Sequence, residues 1–253
     1  MIVIALLLTS PSLAFAEEPK ELEVHNFTLP AVPHIEYQED DSGQEQHQVQ
    51  FNGQARTYQL YAPEGAPDPR PAILLLHGGK RNGVSLVEKW KDIADKNNVI
   101  LIGPTASGSL WSMETDSPEF LDAVIEDASR YYSIDPSRLY LFGHSSGGIQ
   151  ACYLVTRRSK KFAAAAVNAG MFLSYNDYSY VNRADRKIPM AFLTGTNDNI
   201  VPMDKVRATA DVFAAGGHDT SLYIFDGHTH WYYDSASDIN EKVWQFLSSY
   251  ELQ

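Results

Sequence analysis

The chain has 253 residues, with 20 Lys and Arg against 32 Asp and Glu, which gives a formal net charge of −12. A charge of this sign and size repels nucleic acids and anionic membrane surfaces, so we expect neither as a partner. The single cysteine, Cys152, excludes an internal disulfide framework, and its apolar neighbours predict a small buried side chain. Stability must therefore come from core packing, for which the chain is long enough.

An apolar stretch covers residues 1–16 and ends in Ala14-Phe15-Ala16. This small-x-small ending is typical of a cleavage site for signal peptidase. The stretch is shorter than the roughly 20 apolar residues that a membrane-spanning helix needs, and Pro11 and its polar neighbours interrupt it. We therefore predict a signal peptide and a secreted or periplasmic protein.

Residues 17–48 are polar and show no clear period, which predicts a loosely ordered leader ahead of a catalytic domain at 49–253. Residues 49–62 alternate around Asn52-Gly53, the strongest short signal for a β-hairpin.

Further along, short apolar runs alternate with stretches of helical spacing. Buried strands separated by helices indicate the α/β class, with a mostly parallel twisted sheet and helices on both faces. The predicted strands are 72–76, 99–102, 139–142, 163–167, 190–193 and 221–225, and the predicted helices are 84–93, 120–128, 149–155, 206–213 and 239–247.

A serine stands in the middle of the run G-H-S-S-G at 143–147, between a predicted strand and a predicted helix. Strand, sharp turn and helix form the context that the nucleophile motif G-x-S-x-G requires. The turn strains the backbone of the serine, and glycines are needed where a Cβ would collide with neighbouring elements. We therefore predict that Ser145 is a nucleophile at the carboxyl end of the sheet.

Two backbone N–H groups are candidates to hold the oxygen of a tetrahedral intermediate. The first belongs to Ser146, where the predicted helix begins. The second belongs to Gly79, in a loop of the H-G-G type that follows the first buried strand. His77 in the same loop is predicted to hold the loop by hydrogen bonds rather than to take part in the chemistry.

In folds with this nucleophile turn, the acid and then the histidine follow the serine along the chain. Asp198 comes after the predicted strand at 190–193 and fits the orienting carboxylate. Asp204 is better placed to begin the next helix.

Two histidines, His228 and His230, follow the last predicted strand, and the residues alone leave both open as the base. No third ligand follows them at a recognisable spacing, so a metal is not expected there, and the chemistry predicted for a serine nucleophile needs no other cofactor. His218 stands at a helix end ahead of the same strand and is predicted to lie on the surface.

Several motifs occur in order along about residues 49–250, namely H-G-G, Trp111, D-P-S-R-L-Y at 135–140, G-H-S-S-G-G, G-T-N-D-N-I-V-P and G-H-T-H-W. In this order they resemble the polyhydroxybutyrate depolymerase and feruloyl esterase group of α/β-hydrolases. The resemblance implies an α/β-hydrolase fold with a short cap and a serine carboxylesterase with a Ser-His-Asp triad. In that group the base follows glycines and precedes an aromatic residue, which implies His230, although His228 and Thr229 replace two of the glycines.

The segment between the predicted strands at 163–167 and 190–193 is too short and polar to form a long apolar lid. Tyr175 in that segment, together with Trp111 and Trp231, offers flat amphipathic surfaces for substrate binding, although each ring could instead pack its own loop. These features favour short-chain, aromatic (feruloyl-like) or hydroxyalkanoate esters, as small molecules or polymer ends. Two other functions stay open, a peptidase or amidase with the same triad and a binding protein without activity.

Overall fold

The structure is a computed structural model that describes residues 18–65 and 67–253, so the predicted signal peptide at 1–16 lies outside the described residues. Among the helices of these described residues, none combines the length and the apolar character that spanning a bilayer requires. The strands are β1 (Glu23–Thr28), β2 (Glu45–Phe51), β3 (Gln54–Tyr61), β4 (Arg70–Leu76), β5 (Ile100–Pro104), β6 (Ile134–His144), β7 (Ala165–Asn168), β8 (Met190–Gly195) and β9 (Thr220–Asp226). The helices are α1 (Gly83–Asn97), α2 (Pro118–Ala128), α3 (Ser146–Arg157), α4 (Ser179–Arg183), α5 (Met203–Ala215) and α6 (Ala236–Leu247).

The described strands form one sheet in the order β1-β9-β8-β7-β6-β4-β5-β3-β2. Neighbours from β1 to β5 in this order are parallel, whereas β3 and β2 pair antiparallel to their neighbours. The mostly parallel sheet that the sequence predicts is therefore confirmed. Because parallel strands point the same way, the loops that follow β4 to β9 all leave one edge of the sheet, here called the carboxyl edge.

Alternate residues of the central strands face two apolar clusters, one on each side of the sheet. In β4, Leu74 and Leu76 belong to one cluster, and Ile73 and Leu75 belong to the other. Helices α2, α3 and α5 cover the first face, where Cys152 is buried as predicted, and α1 and α6 cover the second. Burial on both faces explains why these strands read as continuous apolar runs in the sequence.

The predicted hairpin joins β2 and β3, with Phe51 opposite Gln54. The two turn residues have positive φ, 49° for Asn52 and 78° for Gly53, as a type I′ turn requires. The hairpin prediction is confirmed, and it places β3 against β5 at the antiparallel end of the sheet.

The leader predicted over 17–48 is ordered in strands at 23–28 and 45–48, so the prediction of a loosely ordered segment is wrong for these residues. It contains β1, which joins the sheet as the parallel neighbour of β9. Phe27 stacks beside Tyr223 with ring centroids 5.8 Å apart, and Tyr37 stacks on Tyr233 at 4.3 Å. Strand β1 lies at the edge of the sheet, and only alternate residues at its end are half-buried. Most of its residues can therefore be polar, and the sequence lacks the apolar alternation that would indicate a strand.

His218 is fully buried, so the prediction of a surface position is wrong. After α5 ends, Gly217 has φ 88° and the N–H of His218 donates to the carbonyl oxygen of Phe213 at 3.1 Å. This turn folds the chain back over the helix end and buries the imidazole. Nδ1 of His218 lies 3.0 Å from the carbonyl oxygen of Ile188.

Burial lowers the pKa of His218 to about 4, whereas the unfolded chain keeps a pKa of roughly 6.5. The unfolded state therefore binds more protons as pH falls below 6.5, and stability decreases from there toward pH 4. Between pH 7 and pH 5, proton binding by His218 in the unfolded state lowers the free energy of unfolding by about 2 kcal/mol. We expect His218→Leu to lack this part of the pH dependence. Urea denaturation at both pH values measures it, and an unchanged pH dependence would contradict the prediction.

Candidate active site

The turn between β6 and α3 places Ser145 at the carboxyl edge of the sheet. The serine has φ 54° and ψ −118°, a strained conformation for a residue with a Cβ. A Cβ on Gly143 would overlap the backbone of Gly147, and a Cβ on Gly147 would overlap the carbonyl oxygen of Leu76. The turn therefore has the geometry that the motif predicts, with glycine required at both positions.

Ser145, His230 and Asp198 form a continuous hydrogen-bonded chain. Nε2 of His230 lies 2.9 Å from Oγ of Ser145, and Nδ1 lies 2.8 Å from Oδ2 of Asp198. The three side chains follow β6, β9 and β8, which are parallel, so their loops meet at the carboxyl edge. The structure thus brings together three residues that are widely separated along the chain.

The loop of Asp198 holds the carboxylate in place. Oδ1 accepts hydrogen bonds from the N–H groups of Ile200 at 2.9 Å and Val201 at 2.8 Å. Burial acts to raise the pKa of Asp198, but the hydrogen bonds from His230 and these two N–H groups outweigh it and hold the pKa below its usual range. Because an ionised carboxylate only accepts hydrogen bonds, Nδ1 of His230 carries a proton and Nε2 is free to accept one from Ser145.

His228 lies outside this hydrogen-bonded chain. Its ring meets Phe225 edge to face at 6.1 Å, and its backbone oxygen accepts from the N–H of Asn197 at 2.9 Å. Burial lowers the pKa of His228. Of the two histidines left open by the residues, the structure joins His230 to Ser145. Among the residues that the structure describes, no group of three or more His, Cys, Asp or Glu is placed to hold a metal ion.

The two candidate oxyanion donors lie on segments that meet at Ser145. The N–H of Ser146 is the first of α3, and that of Gly79 lies in the loop after β4. Neither donates a hydrogen bond to another residue in the described ranges. A Cβ on Gly78 would lie 3.6 Å from Cβ of Ser145, so this loop passes directly beside the serine.

His77 holds the loop by hydrogen bonds, as predicted. Its Nδ1 donates to the carbonyl oxygen of Gly78 at 2.7 Å, and its Nε2 accepts from the N–H of Ala106 at 3.0 Å. Burial lowers the pKa of His77 to about 4, so the ring stays neutral and keeps one donor and one acceptor.

One residue of the site that the sequence does not predict is His144, which lies beside His230. His144 is buried, stacks on Tyr232 with centroids 5.0 Å apart and lies 5.3 Å from the ring of His230. Its Nδ1 lies 3.0 Å from Nδ2 of Asn168, whose backbone oxygen accepts from the N–H of Ser145 at 2.9 Å. Burial lowers the pKa of His144 to about 3, so it adds no positive charge beside His230. His144 and Asn168 end the neighbouring strands β6 and β7 and face each other in their register. This position is the feature of the sequence that could have indicated their contact.

The three residues predicted to bind substrate have different surroundings. Trp111 is buried, and its indole N–H donates to the carbonyl oxygen of His77 at 2.8 Å, so little of its ring is open to a substrate and its contact with substrate stays a prediction. Trp231 is half-buried and meets His34 of the leader edge to face at 5.3 Å. Tyr175 is 73% exposed on the turn that follows β7.

The strained serine turn on a mostly parallel sheet defines an α/β-hydrolase. A model of the dienelactone hydrolase family matches residues 104–250, and the chain belongs to this family. A solved structure described as a thermostable esterase shares the fold, with a TM-score of 0.67 and 20% identity over 83% of this chain and 63% of that one.

Three curated relatives have similar sequences. A bifunctional acetylxylan esterase/xylanase of Neocallimastix patriciarum is 27% identical over 61% of this chain and 23% of its own length. Feruloyl esterase C of Emericella nidulans is 27% identical over 66% and 63%, and a poly(3-hydroxybutyrate) depolymerase of Ralstonia pickettii is 27% identical over 47% and 30%. The matched region therefore spans less than two thirds of each of these relatives. The predicted resemblance to feruloyl esterases and polyhydroxybutyrate depolymerases is confirmed.

Proposed function

We propose that this chain is a secreted or periplasmic serine carboxylesterase, with Ser145 as nucleophile, His230 as base and Asp198 as the orienting acid. The observation that carries the proposal is the hydrogen-bonded chain from Asp198 through His230 to Ser145, with distances of 2.8 Å and 2.9 Å. Esterase activity agrees with the names of the relatives, an acetylxylan esterase/xylanase and a feruloyl esterase. Export agrees with the apolar run and small-x-small ending of residues 1–16.

In the first half of the reaction, Oγ of Ser145 bonds to the ester carbonyl carbon while its proton passes to Nε2 of His230. Asp198 stabilises the resulting imidazolium. The carbonyl oxygen becomes an oxyanion that accepts hydrogen bonds from the N–H groups of Gly79 and Ser146. The bond to the alcohol oxygen then breaks, His230 returns the proton to that oxygen, and the acyl group stays on Ser145.

In the second half, a water molecule attacks the acyl carbon and gives its proton to His230. The oxyanion forms again on the same two donors, the bond to Oγ of Ser145 breaks, and His230 returns the proton to Oγ. The products are a carboxylic acid and the free enzyme, and His230 accounts for each proton that moves.

The proposed substrates are esters of short acyl chains, of aromatic acids such as ferulic acid, and of hydroxyalkanoates. Between β7 and β8 the chain forms only the 3₁₀ turn Tyr175–Tyr178 and the five-residue α4, which are too small to cover a long alkyl chain. Exposed apolar side chains nevertheless follow β5, β7 and β8 at the carboxyl edge, namely Leu110, Leu173, Tyr175 and Ile200. An open apolar rim of this kind suits a small acyl or aryl group, either free or at the end of a polymer.

A panel of p-nitrophenyl acetate, butyrate and palmitate, with methyl ferulate and a 3-hydroxybutyrate trimer, tests this function. We expect kcat/KM for the butyrate to exceed that for the palmitate by on the order of tenfold or more, because the rim is open. The activity should be found outside the cytosol of expressing cells. Butyryl p-nitroanilide is the control for amidase activity.

Three results would contradict the proposal, two from this panel and one from the location of the activity. Faster hydrolysis of the anilide than of the ester would make the chain an amidase. Higher kcat/KM on the palmitate, or a jump in rate above its solubility limit, would indicate a lipase. Activity confined to the cytosol would contradict export.

A further inference from the structure

Trp111 contacts both segments that carry the oxyanion donors. We propose that Trp111 is a positioning residue, which, together with the rest of the 105–116 loop, fixes the directions of the N–H groups of Gly79 and Ser146. The inference rests on the proposed function, because it concerns the same oxyanion site. It gives this tryptophan a role other than the substrate contact that the sequence predicts.

The first contact acts on Gly79 through its neighbours. Nε1 of Trp111 donates to the carbonyl oxygen of His77 at 2.8 Å, and the two rings lie 4.9 Å apart. The N–H of Ala106 occupies Nε2 of His77, so Nδ1 donates to the carbonyl oxygen of Gly78. A peptide group is planar and trans, so holding this carbonyl on one side turns the N–H of Gly79 to the other.

The second contact acts on Ser146. The backbone N–H of Trp111 donates to Oγ of Ser146 at 3.0 Å. Ser146 is the first residue of α3, where no preceding helical turn restrains the backbone, so this contact steadies its N–H. A third contact joins the same loop to the residue after Gly79, because the N–H of Lys80 donates to the carbonyl oxygen of Ser109 at 2.6 Å.

A buried ion pair holds the 105–116 loop in this position. Asp116 has no exposed surface, pairs with Arg56 and accepts from the N–H groups of Ser107 at 2.9 Å and Ser112 at 3.0 Å. Arg56 also donates to the carbonyl oxygen of Thr105 at 3.1 Å. A buried carboxylate with this many partners is stable in one arrangement only, because any loop movement would leave its charge unpaired.

Trp111→Phe tests the role, because phenylalanine keeps an aromatic ring and removes the indole N–H. We expect kcat on p-nitrophenyl butyrate to fall by about tenfold to a hundredfold, less than for loss of a whole oxyanion donor, while KM changes by less than about threefold. The inhibition constant of a trifluoromethyl ketone, whose adduct places an oxyanion in this site, should rise by the factor by which kcat/KM falls. The matched control is Trp244→Phe on α6, where the indole packs edge to face on Tyr140, and it should change neither value.

Ser146→Ala keeps the test decisive if Trp111→Phe fails to fold. This change removes the acceptor of the Trp111 N–H but leaves the N–H of Ser146 in place. We expect kcat to fall by about tenfold, the size of one lost hydrogen bond. Ser146→Thr keeps a hydroxyl and should restore most of the activity.

The proposal is overturned if Trp111→Phe behaves like Trp244→Phe, or if kcat falls while the inhibition constant stays at the wild-type value. It is also overturned if Ser146→Ala keeps the wild-type kcat. Failure of the catalytic role proposed for Ser145 would look different, because the wild-type protein would then hydrolyse no ester and would not react with a fluorophosphonate at Ser145.

Discussion

Ser145→Ala is expected to lower kcat on the best ester substrate by on the order of a millionfold. The change removes the attacking oxygen, while the hydroxyl contributes little to folding, since its hydrogen-bond partner in the described residues is His230. Alanine has a Cβ as serine does, so the strain at φ 54° stays the same. Rates with p-nitrophenyl butyrate measure the loss, and the melting temperature should stay close to that of the wild type.

A fluorophosphonate probe gives a second measurement of the same prediction. The wild type should be labelled on Ser145, and Ser145→Ala should not be labelled. The control is Ser249→Ala, which changes an exposed serine that follows α6 and donates to the carbonyl oxygen of Gln245 at 2.8 Å. It should keep both labelling and activity. A Ser145→Ala variant that retained a tenth of the wild-type rate would exclude this serine as the nucleophile.

Most of the central fold could be predicted because a few consecutive residues carry each signal. Strands buried on both faces give continuous apolar runs, and Asn52-Gly53 specifies a tight turn by its positive φ values. The glycines around Ser145 reflect a turn in which a Cβ would overlap backbone atoms. Because the acid follows the serine and precedes the histidine along the chain, the candidates for the acid are limited to one loop after one predicted strand, and this loop contains Asp198.

The parts that could not be predicted depend on partners far along the chain. Strand β1 pairs Glu23 with Ser221, and nothing in residues 17–48 indicates that partner. Trp111 has the same appearance in a sequence whether it packs a loop or lines a cleft, and here its indole N–H donates to a carbonyl oxygen in the distant loop after β4. His144 needs the register between β6 and β7 before its neighbour Asn168 is known.

The second large effect on activity is expected for the loss of His230, the one of the two histidines after β9 that contacts Ser145. His230→Ala should lower kcat about as much as Ser145→Ala, on the order of a millionfold, because the members of a triad act as a unit. For the same reason, the double variant should be no less active than either single one. Steady-state rates with p-nitrophenyl butyrate measure all three variants, and added imidazole should raise the rate of His230→Ala but not that of Ser145→Ala.

His228→Ala is the matched control, because it removes the same side chain two residues away. The ring of His228 packs on Phe225 and makes no hydrogen bond to Ser145 or Asp198 in the described structure, so kcat should stay within about tenfold of the wild type. Since the base must accept the serine proton directly, only the histidine within hydrogen-bond reach of Oγ can produce the large loss. An inactive His228→Ala beside a nearly normal His230→Ala would assign the base to His228, and the loop after β9 would then have to rearrange when substrate binds.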